Sequence, residues 1–360
     1  MNKIFLAIIF VLIFTSANAQ TNNSFADSIR IKYHIPELAY AVISSDSVFE
    51  IQALGFQRIN TKFKATLSDR FRIGSNTKTV TSYIAALLVK QGKIKWETKF
   101  LDLYPELKIK SNPAYYNFTL QDFLTFRANL VGWSYGNDAP SKKEIKGNAQ
   151  QQRYNFVLWI LQQQPDTVKK TVYRSNASYV AAGLMLEKVT GKDYETLVHE
   201  LGKELDIDFD FGQPNYRDRN QSWGHDDNLT PEKPASNYKL NWLSSAGNIN
   251  VSLPGYIKFI QLQLKGLLGK SNIFSAEEFN FMHYGLPEFS FGWKTYTDET
   301  NNLKYSFHEG NPGTFLSRIY ICKNTNRAFI FFANVQSDDA AEGLTILFNE
   351  LSKEGNYTLR

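Results

Sequence analysis

The chain has 360 residues, 43% of them hydrophobic and 14% aromatic, the composition of a folded globular protein and not of a disordered one. Its formal net charge is +5, with lysine and arginine scattered along the chain, so no nucleic-acid partner is expected. The single cysteine, Cys322, lies in an apolar run, cannot form an intramolecular disulfide and reads as a buried, inert thiol.

In chain order, Lys3 precedes the unbroken apolar run Ile4 to Phe14, and Ala17-Asn18-Ala19 is a small-x-small cleavage site. The run is shorter than the roughly 20 residues a helix needs to span a bilayer. No cysteine follows the cut to carry a lipid. Residues 1–19 are therefore expected to be a signal peptide cleaved after Ala19, giving an exported protein, periplasmic or secreted, without stable membrane insertion. Ser24 to His34 reads as a helix ended by Pro36, and Ala39–Ser44 with Val48–Leu54 as a hairpin around Ser45-Asp46-Ser47. The short run Phe71-Arg72-Ile73 leads into Gly74-Ser75-Asn76-Thr77-Lys78. An amphipathic helix then runs from Val80 to Gln91, with Tyr83, Ile84, Leu87 and Leu88 at helical spacing and Gly92 as its stop.

Helical patterns follow at Leu120–Phe126, Phe156–Gln163, Ala177–Val189, Tyr194–Leu201 and Pro254–Leu268. A second hairpin, Phe315–Cys322 and Arg327–Val335, turns at Lys323-Asn324-Thr325-Asn326. A closing helix then places Leu344, Ile346, Leu347 and Leu351 on one side. Strands at both ends with helices between predict an α+β fold, an α/β sandwich. The two termini build one antiparallel sheet, terminal helices cover one of its faces, and a mostly helical lobe is inserted. The expected boundaries are an α/β lobe over about 20–96 and 289–360 and a helical lobe over about 97–288, within one domain spanning 20–360.

The chemistry centres on Ser75 and Lys78. A serine hydroxyl is a poor nucleophile at neutral pH and needs a base within hydrogen-bond reach. A lysine one helical turn away, buried near a helix start, supplies one, because burial and the helix dipole both lower its pKa. S-x-x-K alone is a weak signal: Ser75 or Asn76 would also serve as an ordinary N-cap, and the pattern recurs at Ser236-Asn237-Tyr238-Lys239 in a polar, proline-bearing loop. Two later stretches add weight. These are Tyr173-Arg174-Ser175-Asn176-Ala177-Ser178-Tyr179, which opens a helix, and His308-Glu309-Gly310-Asn311-Pro312-Gly313, just before the C-terminal hairpin. Tyr115-Tyr116-Asn117, Tyr135-Gly136-Asn137 and His283-Tyr284-Gly285 match parts of the same patterns without those surroundings and read as loop residues.

With these motifs in this order, the chain resembles the serine β-lactamase and penicillin-binding-protein superfamily. It is most similar to the branch of class C β-lactamases, D-alanyl-D-alanine carboxypeptidases and esterases. Glu187-Lys188-Val189-Thr190-Gly191, Ser245-Ala246-Gly247-Asn248 and Phe291-Gly292-Trp293 extend the resemblance over most of the mature chain. It implies that Ser75 attacks a carbonyl to form an acyl-enzyme with Lys78 as base, and that Asn176 bonds the substrate amide and the lysine. An oxyanion hole would combine the backbone N–H of Ser75 with one from the region Asn311 to Thr314. His308 stands where many relatives carry lysine and is expected to donate to a proton relay or to a substrate carboxylate. Gly310 would let substrate backbone lie close along the strand. Asn176 reads equally as the N-cap of the helix from Ala177, and His308 as a surface histidine on a turn.

The second motif departs from the family's Tyr-x-Asn, because Arg174 occupies the tyrosine position and Tyr173 stands one residue early. Neighbouring side chains in an extended segment face opposite ways, so Tyr173 is the catalytic relay only if the backbone bulges there. Arginine keeps its proton, but it can hold Lys78 neutral by like charge or bind a substrate carboxylate. Thr125-Phe126-Arg127-Ala128-Asn129 departs from the Thr-His-x-Ser-Gly of many relatives at a place read as structural. Trp133, Tyr135, Trp223 and Trp242 are candidate cleft walls. No cofactor is implied. His34, His199, His225, His283 and His308 show no metal-ligand spacing, so no metal is expected. The expected partner is a small-molecule or peptide substrate: a D-amino-acid peptide, a β-lactam or an ester. The alternative is a non-catalytic relative that binds peptidoglycan-like ligands.

Overall fold

The computed structural model describes residues 23–235, 238–299, 302–353 and 357; the expected signal peptide and Ser236 of the second S-x-x-K lie outside the described residues. Two apolar hairpins set the architecture. Strands β1 (Glu37–Ile43) and β2 (Val48–Gly55) pair with each other, as do β8 (Leu316–Cys322) and β9 (Arg327–Ala333), and β1 pairs antiparallel with β9. Strands β6 (Lys294–Asp298) and β7 (Leu303–Gly310) complete an antiparallel sheet of order β2-β1-β9-β8-β7-β6. The sheet thus joins the two ends of the chain, as the hairpin pattern predicts.

β1 and β9 are buried at every residue, which a strand achieves only when both sheet faces are covered. Alternation sorts their side chains into two layers. Ala39, Ala41, Ile43, Ile330 and Phe332 face one core; Leu38, Tyr40, Val42, Phe329 and Phe331 face the other. The second core is closed by the N-terminal helix α1 (23–32) and by the C-terminal helix (Asp338–Leu351), through Ala26, Ile29, Leu344, Leu347 and Phe348. The first is closed in part by the helix Leu253–Leu267, whose Tyr256 ring lies 5.7 Å from Phe332. Each such fully buried apolar side chain contributes about 1.5–3 kcal/mol of transfer free energy. Among the described residues no helix is long and apolar enough to cross a membrane.

A second, smaller sheet positions the site. β3 (Arg70–Arg72) pairs with β5 (Ile249–Ser252), and β4 (Asp210–Phe211) lies on the far side of β5. The pairing continues past Arg72 through Ile73 N–H, which donates to the Ile249 carbonyl at 3.0 Å. The residues that follow β3, Gly74 onward, are thereby held beside those that precede β5, Ser244 to Asn248.

Candidate active site

After β3 the chain makes one 3₁₀ turn, Gly74–Asn76, and enters helix α2 (Thr77–Lys90). Gly74 adopts φ +49°, and a Cβ there would lie 2.9 Å from the backbone nitrogen of Asn311 and from Pro312 Cδ. Glycine is therefore required both for the backbone conformation and for the close approach. Asn76 holds the N-cap position without a capping hydrogen bond; its side-chain nitrogen donates instead to Ser317 Oγ on β8 at 2.7 Å. The helix is buried on nearly all sides, including Thr77, Lys78, Thr79, Thr81 and Ser82. Thr79 and Thr81 satisfy their hydroxyls on the carbonyls of Asn76 and Ser245 at 2.8 and 2.7 Å. Gly92, φ +70°, ends it.

Lys78 Nζ lies 2.8 Å from Ser75 Oγ and 2.6 Å from the carbonyl oxygen of Ala246. The resemblance implies Asn176 as a lysine partner; here the carbonyl of Ala246 takes that place. Burial pulls the Lys78 pKa down to about 7, and the nearby Lys294 charge adds to the shift. As the neutral amine, Lys78 donates an N–H to Ala246 and offers its lone pair to the Ser75 hydroxyl, which becomes the donor. That is the geometry of a general base beside its nucleophile.

The helix that carries Asn176 runs from Asn176 to Thr190 with Ser175 at its N-cap position, so Asn176 is the first helical residue and not the cap. Ser175 Oγ accepts from the Trp133 N–H at 3.2 Å, and the Asn176 N–H donates to the Trp133 carbonyl at 2.9 Å. The side-chain amide of Asn176 makes no hydrogen bond among the described residues and lines the same cavity as Ser75. Behind this helix, buried Arg153 pairs with Glu187 at 2.5 Å and with Glu195 at 2.9 Å. A Cβ on Gly183 would sit 2.4 Å from Ser245 Oγ, which shows how closely the helix lies against the Ala246 segment.

Arg174 and Tyr173 part company. Arg174 lines the Ser75 cavity, which encloses about 250 Å³. Tyr173 lines only a neighbouring hollow, shared with Asp166, Lys170 and Arg174 itself, where its hydroxyl accepts from the Lys170 backbone N–H at 3.2 Å. The structure does not bring Tyr173 to the Ser75 cavity. A larger open hollow of about 540 Å³, lined by Tyr104, Lys146 and Tyr154, holds no nucleophile–base pair.

The third wall is the end of β7. β6 pairs with β7 only from Leu303 to Phe307, leaving His308, Glu309 and Gly310 beyond the last pair on that edge. His308 is buried, and its Nδ1 bonds the Gly292 carbonyl. A carbonyl accepts only, so Nδ1 carries the proton and Nε2 of the neutral ring is an acceptor. Burial holds the His308 pKa well below the usual histidine value, and the Lys78 and Lys294 charges push the same way. The ring at neutral pH therefore presents an acceptor, not the donor the resemblance implies. Gly292, φ +92°, presses on helix α2; a Cβ there would lie 2.9 Å from Thr79 Cα.

Gly310 has a different reason from the expected one. A Cβ there would lie 1.9 Å from the Ile73 carbonyl oxygen, so the glycine faces the Ser75 turn and not a substrate. The following backbone nitrogen, that of Asn311, lies against Gly74, the residue before Ser75. Buried Arg72 tethers this turn, donating to the Pro312 carbonyl at 3.4 Å and lying 3.6 Å from Glu232, which accepts from Thr314 Oγ1 at 2.6 Å.

Of the four candidate aromatic walls, Trp133 lines the cavity. Trp242 packs in the core against Phe156 and Trp133, and Trp223 lies under Arg58. Phe126, read from the sequence as structural, also lines the cavity at φ +57° and packs on Phe289 at 4.6 Å. Sequence reasoning missed Phe289, Lys294 and Glu309 as cavity residues. Lys294 immediately follows Phe291-Gly292-Trp293, and that adjacency was the available signal.

The Staphylococcus aureus protein called Protein flp is 23% identical over 317 residues, a match that covers 85% of this chain and 61% of that protein. The chain thus spans about three fifths of the length of this curated relative. The octameric penicillin-binding protein homologue from Pyrococcus abyssi superposes with a TM-score of 0.74 at 18% identity, covering 94% of this chain and 78% of that one. The D-alanine carboxypeptidase AmpC from Burkholderia cenocepacia superposes with a TM-score of 0.70 at 15% identity, covering 92% and 100%. At these identities the likeness to solved structures is one of fold. The family model described as Beta-lactamase matches residues 18–349. With that match over most of its length, the chain belongs to the β-lactamase family.

Proposed function

We propose that the protein is an exported serine hydrolase that forms an acyl-enzyme on Ser75 and acts on a small amide or ester. The observation that carries this reading is Lys78, 2.8 Å from Ser75 Oγ with its pKa brought down to about 7. In the first step Ser75 Oγ attacks the carbonyl carbon while its proton passes to neutral Lys78. The oxyanion rests on the N–H groups of Ser75 and Asn311. Collapse expels the leaving group, with the Lys78 ammonium as the proton source, and the acyl-enzyme forms. Water, deprotonated by the same lysine, then releases the acid. Asn176 positions the substrate with its free amide, and the edge at His308–Gly310, unpaired by β6, admits an extended backbone. The cavity, about 250 Å³, favours a small acyl group.

Labelling with a fluorescent penicillin and with a fluorophosphonate, followed by peptide mass mapping, tests the reading. An adduct on Ser75 is the expected result; an adduct confined to another residue overturns it. A second reading, a non-catalytic binder of peptidoglycan-like ligands, is favoured by Arg174 standing where a relay tyrosine is expected. It predicts binding of such ligands with no adduct at any probe concentration.

A further inference from the structure

The hydroxyl of Ser317 joins the turn that carries Ser75 to the large sheet. Ser317 lies on β8, paired with Gly310 on β7, and is fully buried. Its Oγ donates to the Ile73 carbonyl at 2.9 Å, with the Gly310 carbonyl a more distant acceptor at 3.5 Å. The same oxygen accepts from Asn76 Nδ2 at 2.7 Å. A hydroxyl has one proton to give and lone pairs to receive with, so both capacities are in use. Asn76 Nδ2 also reaches the Ser317 carbonyl oxygen at 3.4 Å. Ile73 stands two residues before Ser75 and Asn76 one residue after it. One oxygen atom of the sheet therefore holds the chain on both sides of Ser75.

The turn needs such support. Gly74–Asn76 is a single 3₁₀ turn, closed by the Asn76 N–H on the Ile73 carbonyl at 3.1 Å, and 3₁₀ hydrogen bonds are poorer than those of an α-helix. Lys78 is held from another side, by the Ala246 carbonyl before β5. The serine and the lysine thus take their places from different sheets, and their separation depends on both. Asn76 is fully buried, and its Oδ1 makes no hydrogen bond among the described residues. An apolar side chain of like size would avoid that cost, but it would lose both contacts to Ser317.

We propose that Ser317 and Asn76 are positioning residues that lock the Ser75 turn onto β8 and so set the aim of Ser75 Oγ relative to Lys78 and a bound carbonyl. This rests on the hydrolase reading for the reaction it serves, though the lock is testable without turnover. Neither side chain lines the Ser75 cavity, so each acts through the turn and not on substrate.

Acylation and amide exchange test it together, in Ser317→Ala, Asn76→Ala and the double variant. The pre-steady-state burst with p-nitrophenyl acetate reads acylation. Each single variant should slow the burst by about tenfold or more, the scale of a small misplacement of reacting atoms. The half-saturating ester concentration should stay within about twofold of wild type. The double variant should be no slower than Ser317→Ala, because the two residues act through one contact. Hydrogen–deuterium exchange of the unreacted proteins is the second arm. A peptide spanning Ile73 to Lys78 should exchange about fivefold faster in Ser317→Ala, while one covering β9 is unchanged. If both readouts match wild type, if the losses multiply in the double variant, or if β9 loosens as much as the turn, the lock is wrong and the hydrolase reading is untouched. Faster exchange in the turn with an unslowed burst overturns it as well. If the wild type gives no burst and no adduct on Ser75, the hydrolase reading fails, and the exchange arm alone upholds or overturns the lock.

Discussion

Lys78 Nζ lies 2.8 Å from Ser75 Oγ, and one turn of backbone separates the two residues. The spacing alone would leave the lysine protonated. Burial beneath Ala246 and the neighbouring Lys294 charge make it a base near neutral pH.

Ser75→Ala removes the nucleophile and one hydrogen bond worth about 1 kcal/mol. Turnover of any substrate found should fall to background, while the melting temperature moves by only a few degrees. Parallel hydrolysis and thermal unfolding measurements check this, and full turnover by the alanine variant would place the nucleophile elsewhere.

Lys78 makes both activity and stability depend on pH. Its neutral form is the base, so kcat/KM should rise with pH through about 7 and then level off. Lys78→Ala should lose nearly all of this activity, and Lys78→Arg should not restore it, because arginine keeps its proton. For stability, the folded pKa lies below the unfolded value of about 10.4. Below about pH 7 both states hold the proton and the native state carries the full desolvation penalty. Between about 7 and 10.4 the native state has released the proton and the unfolded state has not, so stability climbs with pH. Lys78→Met should therefore be more stable than wild type at pH 6 by a few kcal/mol, at about 1.4 kcal/mol per displaced unit. That advantage should vanish by about pH 10 in denaturant titrations. A constant difference across the range would mean that the lysine is not the titrating group.

Arg174→Tyr returns a phenol to the place of the family's relay. General acid help is worth roughly 10²–10⁴-fold, and amides need it more than activated esters do. The variant should raise amide or β-lactam turnover more than ester turnover, and Tyr173→Phe should change little because its hydroxyl serves Lys170 in another hollow. Steady-state kinetics on an amide–ester pair decides it. A crippling Tyr173→Phe with a benign Arg174→Ala would show that the relay is Tyr173 after all.

Gly310→Ala should be severe. The added carbon would meet the Ile73 carbonyl oxygen at 1.9 Å, a backbone atom that cannot swing aside. Overpacking of this kind costs typically 1–3 kcal/mol, and here the relief comes by displacing the turn that carries Ser75. The melting temperature and kcat should fall together. Gly136→Ala, where the nearest atom is 4.0 Å away, should change neither.

The inner strands of the terminal hairpins are legible in the sequence because they are buried on both faces and read as continuous apolar runs: Ala39–Ser44 against Glu37–Ile43 observed, and Arg327–Val335 against Arg327–Ala333. Helix Ala149–Leu161 is legible only from Phe156 onward. Its first turns are Gln150, Gln151 and Gln152, which carry no apolar period, although Asn148 and Gln151 form a capping box that marks the start. The strands β3, β4 and β5 are two to four residues long, too short for an alternation to register, yet they bring Ala246 to Lys78. In the site, Ser75, Lys78, Arg174, Asn176 and His308 share one cavity. Lys294 is marked only by its place after Phe291-Gly292-Trp293, because its strand, Lys-Thr-Tyr-Thr-Asp, is a partly exposed edge with no hydrophobic face. The tautomer of His308 depends on the Gly292 carbonyl, a contact no linear reading supplies.

The joining of β3 to β5 and of Gly74 to the Asn311 turn also fixes when Lys78 acquires its buried surroundings. Ser75 and Lys78 leave the ribosome early, but the carbonyl that accepts from the lysine belongs to Ala246 and the turn packed against Gly74 begins at Asn311. Until those late segments dock, Lys78 is hydrated and protonated, and Ser75 is an ordinary alcohol. Contacts over such sequence separations form late in folding. On the proposed hydrolase reading, the nascent chain carries a dormant nucleophile, armed only when its two ends have closed into one sheet.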